Sequence, residues 1–251
     1  MDPCYIDVHC HFERCPTEEA LARAGAAGVG IICTQGADAP SNIRALKLGK
    51  KHPSIQVCLG LYPITALELK DADIELLLMG IEQQAEHLVA LGEVGMDFKE
   101  DETQHERQKK IFTEIVKLAQ RLDKPLIVHS RKAELAVIEL LEHLGAKKVI
   151  MHCFSGKWSL AQRIIANGWY LTVPTSVTRS EQFQRYAKEM PLSQLFCETD
   201  APYLHPDKTV TTLSNEPANV VVSYEWIAKL RGMKVEEVKK RLFENYQRLF
   251  R

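Results

Sequence analysis

A chain of 251 residues, 45% of them hydrophobic, can bury one large core, and its length is that of a single α/β barrel, roughly 250 residues. The formal net charge of -1 supplies no global basic field, so any contact with nucleic acid must rest on a local patch. No run of about 18 apolar residues is present, which excludes a membrane-spanning helix. The start, Met1-Asp-Pro-Cys-Tyr5, lacks the basic and apolar regions of a signal peptide, so a cytoplasmic location is expected.

In chain order, the first apolar segment, Tyr5–His9, predicts a strand running into the outcrop Asp7-Val-His9-Cys-His11. Further strand candidates follow at Val29–Thr34, Ile55–Gly60, Val89–Glu93, Leu126–His129, Val149–His152, Trp169–Val173 and Leu195–Glu198. Helical patterns lie between them. In Glu102–Leu122 the residues Ile111, Phe112, Ile115, Leu118, Ala119 and Leu122 recur at helical spacing, with Glu and Lys on the other face. Asn219–Leu230 and Val235–Leu249 behave similarly, the latter with Val235, Val238, Leu242, Tyr246 and Leu249 on one stripe. Gly145 and Gly168 are placed to cap the helices before them. Ala201–Pro217, with Pro202, Pro206 and Pro217, is the longest irregular stretch and is expected to form a loop over the strand ends.

Eight strand–helix alternations suit a TIM (β/α)8 barrel, and nothing divides residues 1–251 into two domains. A doubly wound open sheet has the same local pattern. The polar residues decide between the two. Outcrops follow the apolar runs at His9 and His11, Gly92-Glu93-Val-Gly95, His129-Ser-Arg131, His152-Cys-Phe-Ser-Gly156 and Glu198-Thr-Asp200. In a closed barrel these ends share one centre. In an open sheet, with strands about 4.8 Å apart, they would be tens of ångströms apart. The barrel is therefore expected.

The outcrops supply the histidines His9, His11, His129 and His152 and the carboxylates Glu93 and Asp200, an inventory that suits a two-metal hydrolytic centre. His9 and His11 are two apart, so strand periodicity puts both on one face, where they can bind one ion. Alone, such a pair is as readily explained by hydrogen-bonded core histidines; repetition of the placement gives it force. Glu93 sits between Gly92 and Gly95, which leave space around a carboxylate able to bridge two ions. Asp200, after the last strand, could simply cap a turn, but in a hydrolytic centre it would bind an ion and accept a proton from the attacking water. The seven cysteines include no Cys-x-x-Cys pair, which argues against a disulfide framework or a structural zinc site and for buried thiols in a reducing cytoplasm. Alternation along an extended segment turns Cys10 and Cys153 away from the metals.

On these motifs, together with Gly92-Glu-Val-Gly-Met-Asp97, His129-Ser-Arg-Lys-Ala133, Glu198-Thr-Asp-Ala-Pro-Tyr-Leu204, Asn215-Glu-Pro217 and Asn245-Tyr-Gln-Arg-Leu-Phe250, the chain resembles the TatD family of metal-dependent deoxyribonucleases nearly end to end. The resemblance implies a TIM barrel with two divalent ions and nuclease activity. By position, His9, His11, Glu93 and Asp200 would hold one ion, and Glu93, His129 and His152 the other. Two departures touch substrate handling. The family's Gly-x-His-Pro reads Gly60-Leu-Tyr62-Pro63 here, and its Arg-Gly before Asn-Glu-Pro is replaced by Thr211-Thr-Leu-Ser214.

The expected reaction is hydrolysis of DNA, 3′ to 5′ from single-stranded ends, with zinc, manganese or magnesium as the ions and no obligate protein partner. Asp200, Glu93 and Arg131 are the catalytic candidates, and Arg131, Tyr62, Ser155 and His205 the candidate substrate contacts. Arg131 favours phosphate, because its planar fork matches phosphoryl oxygens. An amidohydrolase or esterase would use the same barrel and metals, since activated water attacks carbonyl and phosphoryl centres alike. A non-catalytic nucleic-acid-binding barrel is a third reading, against which the neutral charge balance and the full ligand set both count.

Overall fold

The computed structural model describes residues 2–99, 102–212 and 214–250. Met1 of the start segment and Leu213 of the Thr211–Ser214 stretch lie outside the described residues. Eight parallel strands follow one another in a single sheet in sequence order. They are β1 (Tyr5–Cys10), β2 (Val29–Gln35), β3 (Ile55–Leu59), β4 (Ala90–Gly95), β5 (Leu126–His129), β6 (Val149–Met151), β7 (Tyr170–Pro174) and β8 (Leu195–Glu198). The helices that return the chain are α1 (Thr17–Ala26), α2 (Ala39–Lys51), α3 (Pro63–Leu67), α4 (Asp71–Gln83), α5 (His105–Arg121), α6 (Glu134–His143), α7 (Trp158–Ala166), α8 (Glu181–Glu189), α9 (Val220–Arg231) and α10 (Val235–Phe250). The ring closes between β8 and β1 just past the strands. There Asp200 N–H donates to the His9 carbonyl at 2.9 Å, and His11 N–H to the Ala201 carbonyl at 2.7 Å. Asp7, fully buried at this seam, accepts from Thr199 N–H and Oγ1 at 2.9 and 2.5 Å. Burial, only partly offset by Thr199, pushes its carboxyl up to about 8.

Period-two alternation sorts the strand residues. Leu126 and Val128, Val149 and Met151, and Leu195 and Cys197 belong to the large cluster that includes the apolar faces of the helices, such as Ile111, Ile115 and Leu118 of α5. Ile127, Ile150 and Phe196 form the other cluster with Ile31, Cys33 and Tyr170, joined by Phe243, Tyr246 and Leu249 of α10. Two residues further along these inward rows stand His129, His152 and Glu198, so the interior turns polar at the carboxyl ends of the strands.

The expected elements shift by a few residues. β4 continues two residues past Glu93, which therefore lies within the strand, whereas His152 falls just beyond β6. A single 3-10 turn, Glu102–Gln104, precedes α5, so the α-helix begins later than the apolar pattern suggests. Gly145 and Gly168 do close α6 and α7 with left-handed φ values of 64° and 72°. Among the described residues, the stretch after β8 has no helix or strand before a 3-10 turn at Pro217–Asn219, and its Tyr203 and Leu204 border the cavity at the strand ends.

Candidate metal centre

All six sequence-predicted ligands converge in one place. Glu93, on β4, presents its two carboxylate oxygens to two different histidine pairs. Oε2 lies 3.3 Å from His11 Nε2 and 3.9 Å from His9 Nε2, while Oε1 lies 2.9 Å from His129 Nδ1 and 3.5 Å from His152 Nε2. Asp200 Oδ1 completes the first group, 3.4 Å from His9 Nε2 and 3.8 Å from His11 Nε2. His11 lies past the end of β1, and its ring stands edge-on to that of His9, with centroids 5.4 Å apart.

Two observations test whether these residues fit metal ions. Donors bound to a common tetrahedral ion at about 2.1 Å stand about 3.4 Å apart, and most of the separations above are of that size. Among the described residues, both ring nitrogens of His9 and Nδ1 of His11 are buried with no hydrogen-bond partner, an arrangement that is costly without a ligand for them. The residues therefore fit the group. The described residues contain the sets His9–His11–Glu93 and Glu93–His129–His152, sharing Glu93, each with ligand atoms close enough to hold an ion. His9, His152 and Glu198 form a further such set.

Behind the donors stand carboxylates that fix the ring orientations. His152 Nδ1 is 2.9 Å from Glu198 Oε2, which turns Nε2 toward Glu93. His129 Nε2 is 2.9 Å from Asp97 Oδ2, which leaves Nδ1 for Glu93. Burial opposes ionisation of Glu93, yet hydrogen bonds from His11 and His129 outweigh it and hold the carboxyl well below its usual range. Burial likewise disfavours a charged His152, but Glu198, with Asp200 and Glu93, pushes the imidazole up to about 10. Asp200 is held low in the same way, mainly by His9.

The centre floors a cavity of about 600 Å³ lined by Arg14, Asp38, Tyr62, Arg131, Ser155 and Phe183, among others. A family model described as TatD related DNase matches residues 6–251. The chain belongs to the TatD family. The putative deoxyribonuclease TATDN3 of Mus musculus is 35% identical over 262 residues, covering 98% of this chain and 87% of its own. The uncharacterized metal-dependent hydrolase MJ1582 of Methanocaldococcus jannaschii is also 35% identical, covering 98% of this chain and 97% of its own. Among solved structures, YjjV of Escherichia coli, a TatD homologue, superposes with a TM-score of 0.91 at 31% identity, covering 98% of this chain and 97% of its own.

Within this TatD-family hydrolase, several sequence expectations need a different physical reason or a different place. Gly92 and Gly95 are also required by close neighbours, the side chains of Gln35 and Ile127 at Gly92 and the backbone of His129 at Gly95. A Cβ on Gly95, whose φ is +141°, would sit 2.0 Å from the His129 carbonyl oxygen, and one on Gly92 would sit 2.5 Å from Gln35 Oε1. Cys153 has a positive φ of 41°, so strand alternation does not apply to it and it lines the cavity. Its thiol is held well above the usual range by burial and then by Glu198, Asp200 and Glu93. Cys10, by contrast, is buried in the helix-facing cluster, its Sγ donating to the Cys33 carbonyl. Arg131 lies in the turn after β5 and reaches the cavity, with Nε bound to Asp97 Oδ2 at 2.7 Å. Ser155 lines the cavity and donates to Glu134 Oε1 at 2.8 Å. His205 is not among the lining residues, and its ring accepts from Asp207 N–H in its own turn.

Sequence reading assigned no role to Asp97 or Glu198, although both stand in the quoted motifs. The available signal was an acidic residue directly after an apolar one at a strand exit, Met96-Asp97 and Cys197-Glu198. Buried acids in such positions need partners.

Proposed function

We propose that this chain is a two-metal deoxyribonuclease that removes nucleotides from the 3′ ends of single-stranded DNA. The observation that carries the reading is Glu93, with one oxygen toward His9 and His11 and the other toward His129 and His152. Zinc, manganese or magnesium ions, held by His9, His11, Glu93 and Asp200 on one side and by Glu93, His129 and His152 on the other, would supply positive charge that acidifies water and neutralises phosphoryl oxygens. Asp200 is the proton acceptor. It is ionised, lies beside the ligand nitrogens of His9 and His11, and is the more open of the two carboxylates, with 16% of its side chain exposed against 5% for Glu93. Arg131, anchored through Nε by Asp97, presents a planar cation to the cavity, where it would bind a non-bridging phosphate oxygen. Ser155 borders the same space and would contact the substrate from the β6 side. The deoxyribonuclease names carried by relatives such as those of mouse and human support the same substrate class. All seven cysteines are free thiols, which supports a reducing, cytoplasmic setting.

The test is a panel of substrates on protein stripped with chelator and reloaded with each ion. Single- and double-stranded DNA labelled at the 5′ end, RNA and a small carboxylic ester are compared. The expected result is metal-dependent shortening of single-stranded DNA from the 3′ end. Turnover of the ester alone would establish the amidohydrolase or esterase reading, and DNA binding without any turnover the non-catalytic one.

A further inference from the structure

Tyr62, at the position where the family pattern places histidine, lies between β3 and α3 and lines the cavity beside His129, its ring edge-on with centroids 5.1 Å apart. Its hydroxyl is 3.1 Å from Asp97 Oδ2. The same Oδ2 accepts from Arg131 Nε at 2.7 Å and faces His129 Nε2 at 2.9 Å, while Oδ1 accepts from Lys99 N–H at 3.0 Å. Asp97 pairs with the Arg131 guanidinium and accepts the Lys99 amide, so it stands here as a carboxylate acceptor. An ionised carboxylate has no proton to give, so the one proton of Tyr62 is donated to Asp97. A phenol has one donor and two acceptor sites, and toward the cavity only lone pairs remain.

A phosphate oxygen is itself an acceptor, so it has nothing to offer such a group, and Arg131 next to Tyr62 is the donor it would choose. A substrate hydroxyl close to that phosphate does complement Tyr62. We propose that Tyr62 is a specificity-determining residue that accepts a hydrogen bond from the 3′-hydroxyl of the terminal nucleotide, so that hydroxyl ends are cleaved in preference to ends without a donor. The inference rests on the nuclease reading above and names the end group that its site selects.

The experiment compares wild-type protein on three metal-saturated reactions with single-stranded oligonucleotides that differ only in the terminal 3′ group: hydroxyl, amino or fluoro. Hydroxyl and amino groups donate, whereas fluorine of similar size does not. The expected kcat/KM on the two donor ends exceeds that on the fluoro end by about tenfold, the size of one hydrogen bond, with the difference in KM. Tyr62→Phe, which keeps the ring and loses the oxygen, is expected to erase the ratio between ends while melting temperature and metal content hold. Equal cleavage of all three ends by wild type, or an unchanged ratio in Tyr62→Phe, would overturn the inference while leaving the nuclease intact. Failure to cleave any DNA would remove the nuclease reading and the inference with it.

Discussion

Replacing Asp97 by Asn probes how far the carboxylates behind the metal ligands govern the centre. The substitution keeps the shape and removes the charge. Asn has one oxygen and one amide nitrogen, and Oδ2 of Asp97 faces Tyr62, His129 and Arg131, so the oxygen must stay there and the nitrogen must turn to Lys99 N–H, donor against donor. Hydrogen bonds to a charged acceptor contribute roughly 1.5–3 kcal/mol and neutral ones roughly 0.5–1.5 kcal/mol, so each of the three retained contacts weakens by about 1 kcal/mol. The His129 contact bears directly on metal binding. A less basic His129, held less firmly in the tautomer that points Nδ1 at Glu93, should lower affinity for the ion it shares with Glu93 and His152 by about 10–100-fold. In the proposed two-metal centre, the ion assigned to His9 and His11 should be affected much less, because neither residue touches Asp97. Calorimetric titration of stripped protein with zinc or manganese would resolve this as one tight and one weakened site. Two sites of unchanged affinity would refute the claim that Asp97 orients His129 for a metal.

Asp200→Asn keeps one oxygen near His9 and loses the base, so turnover of DNA at saturating metal should fall by about 100-fold or more while metal content changes little; activity near wild type would assign proton transfer to another group. Arg131→Lys retains the charge but loses the planar fork and the Nε contact with Asp97, and should impair DNA cleavage substantially with fold and metal content preserved; normal DNA cleavage combined with loss on a carboxylate-bearing ester would favour the amidohydrolase reading. Gly95→Ala forces a Cβ against the His129 carbonyl at a left-handed φ, and should lower stability by at least about 2 kcal/mol, seen as a drop in melting temperature of metal-free protein; an unchanged melt would contradict the close packing of β4 on β5.

The alternation of strands and helices, the carboxyl-end position of the polar residues and the identity of the metal-ligand candidates are all legible along the chain. These are local properties. Apolar runs, helical periodicity and an outcrop at the end of a run are all contained within short windows, and the need of a polar side chain for a shared centre then selects the closed barrel over the open sheet. Tertiary structure decided the partnerships. Asp97 meets Tyr62 and Arg131 across 35 and 34 residues, and Glu198 meets His152 across 46, distances that no local pattern encodes and that depend on the register of neighbouring strands. It also set backbone details that a simple strand rule misses, such as the left-handed Cys153, which lines the cavity, and Gly95, whose lack of a side chain is required by the carbonyl of the adjacent strand. A ligand's chemistry is written in its residue type, whereas its orientation is set by whichever groups the ring of strands places behind it.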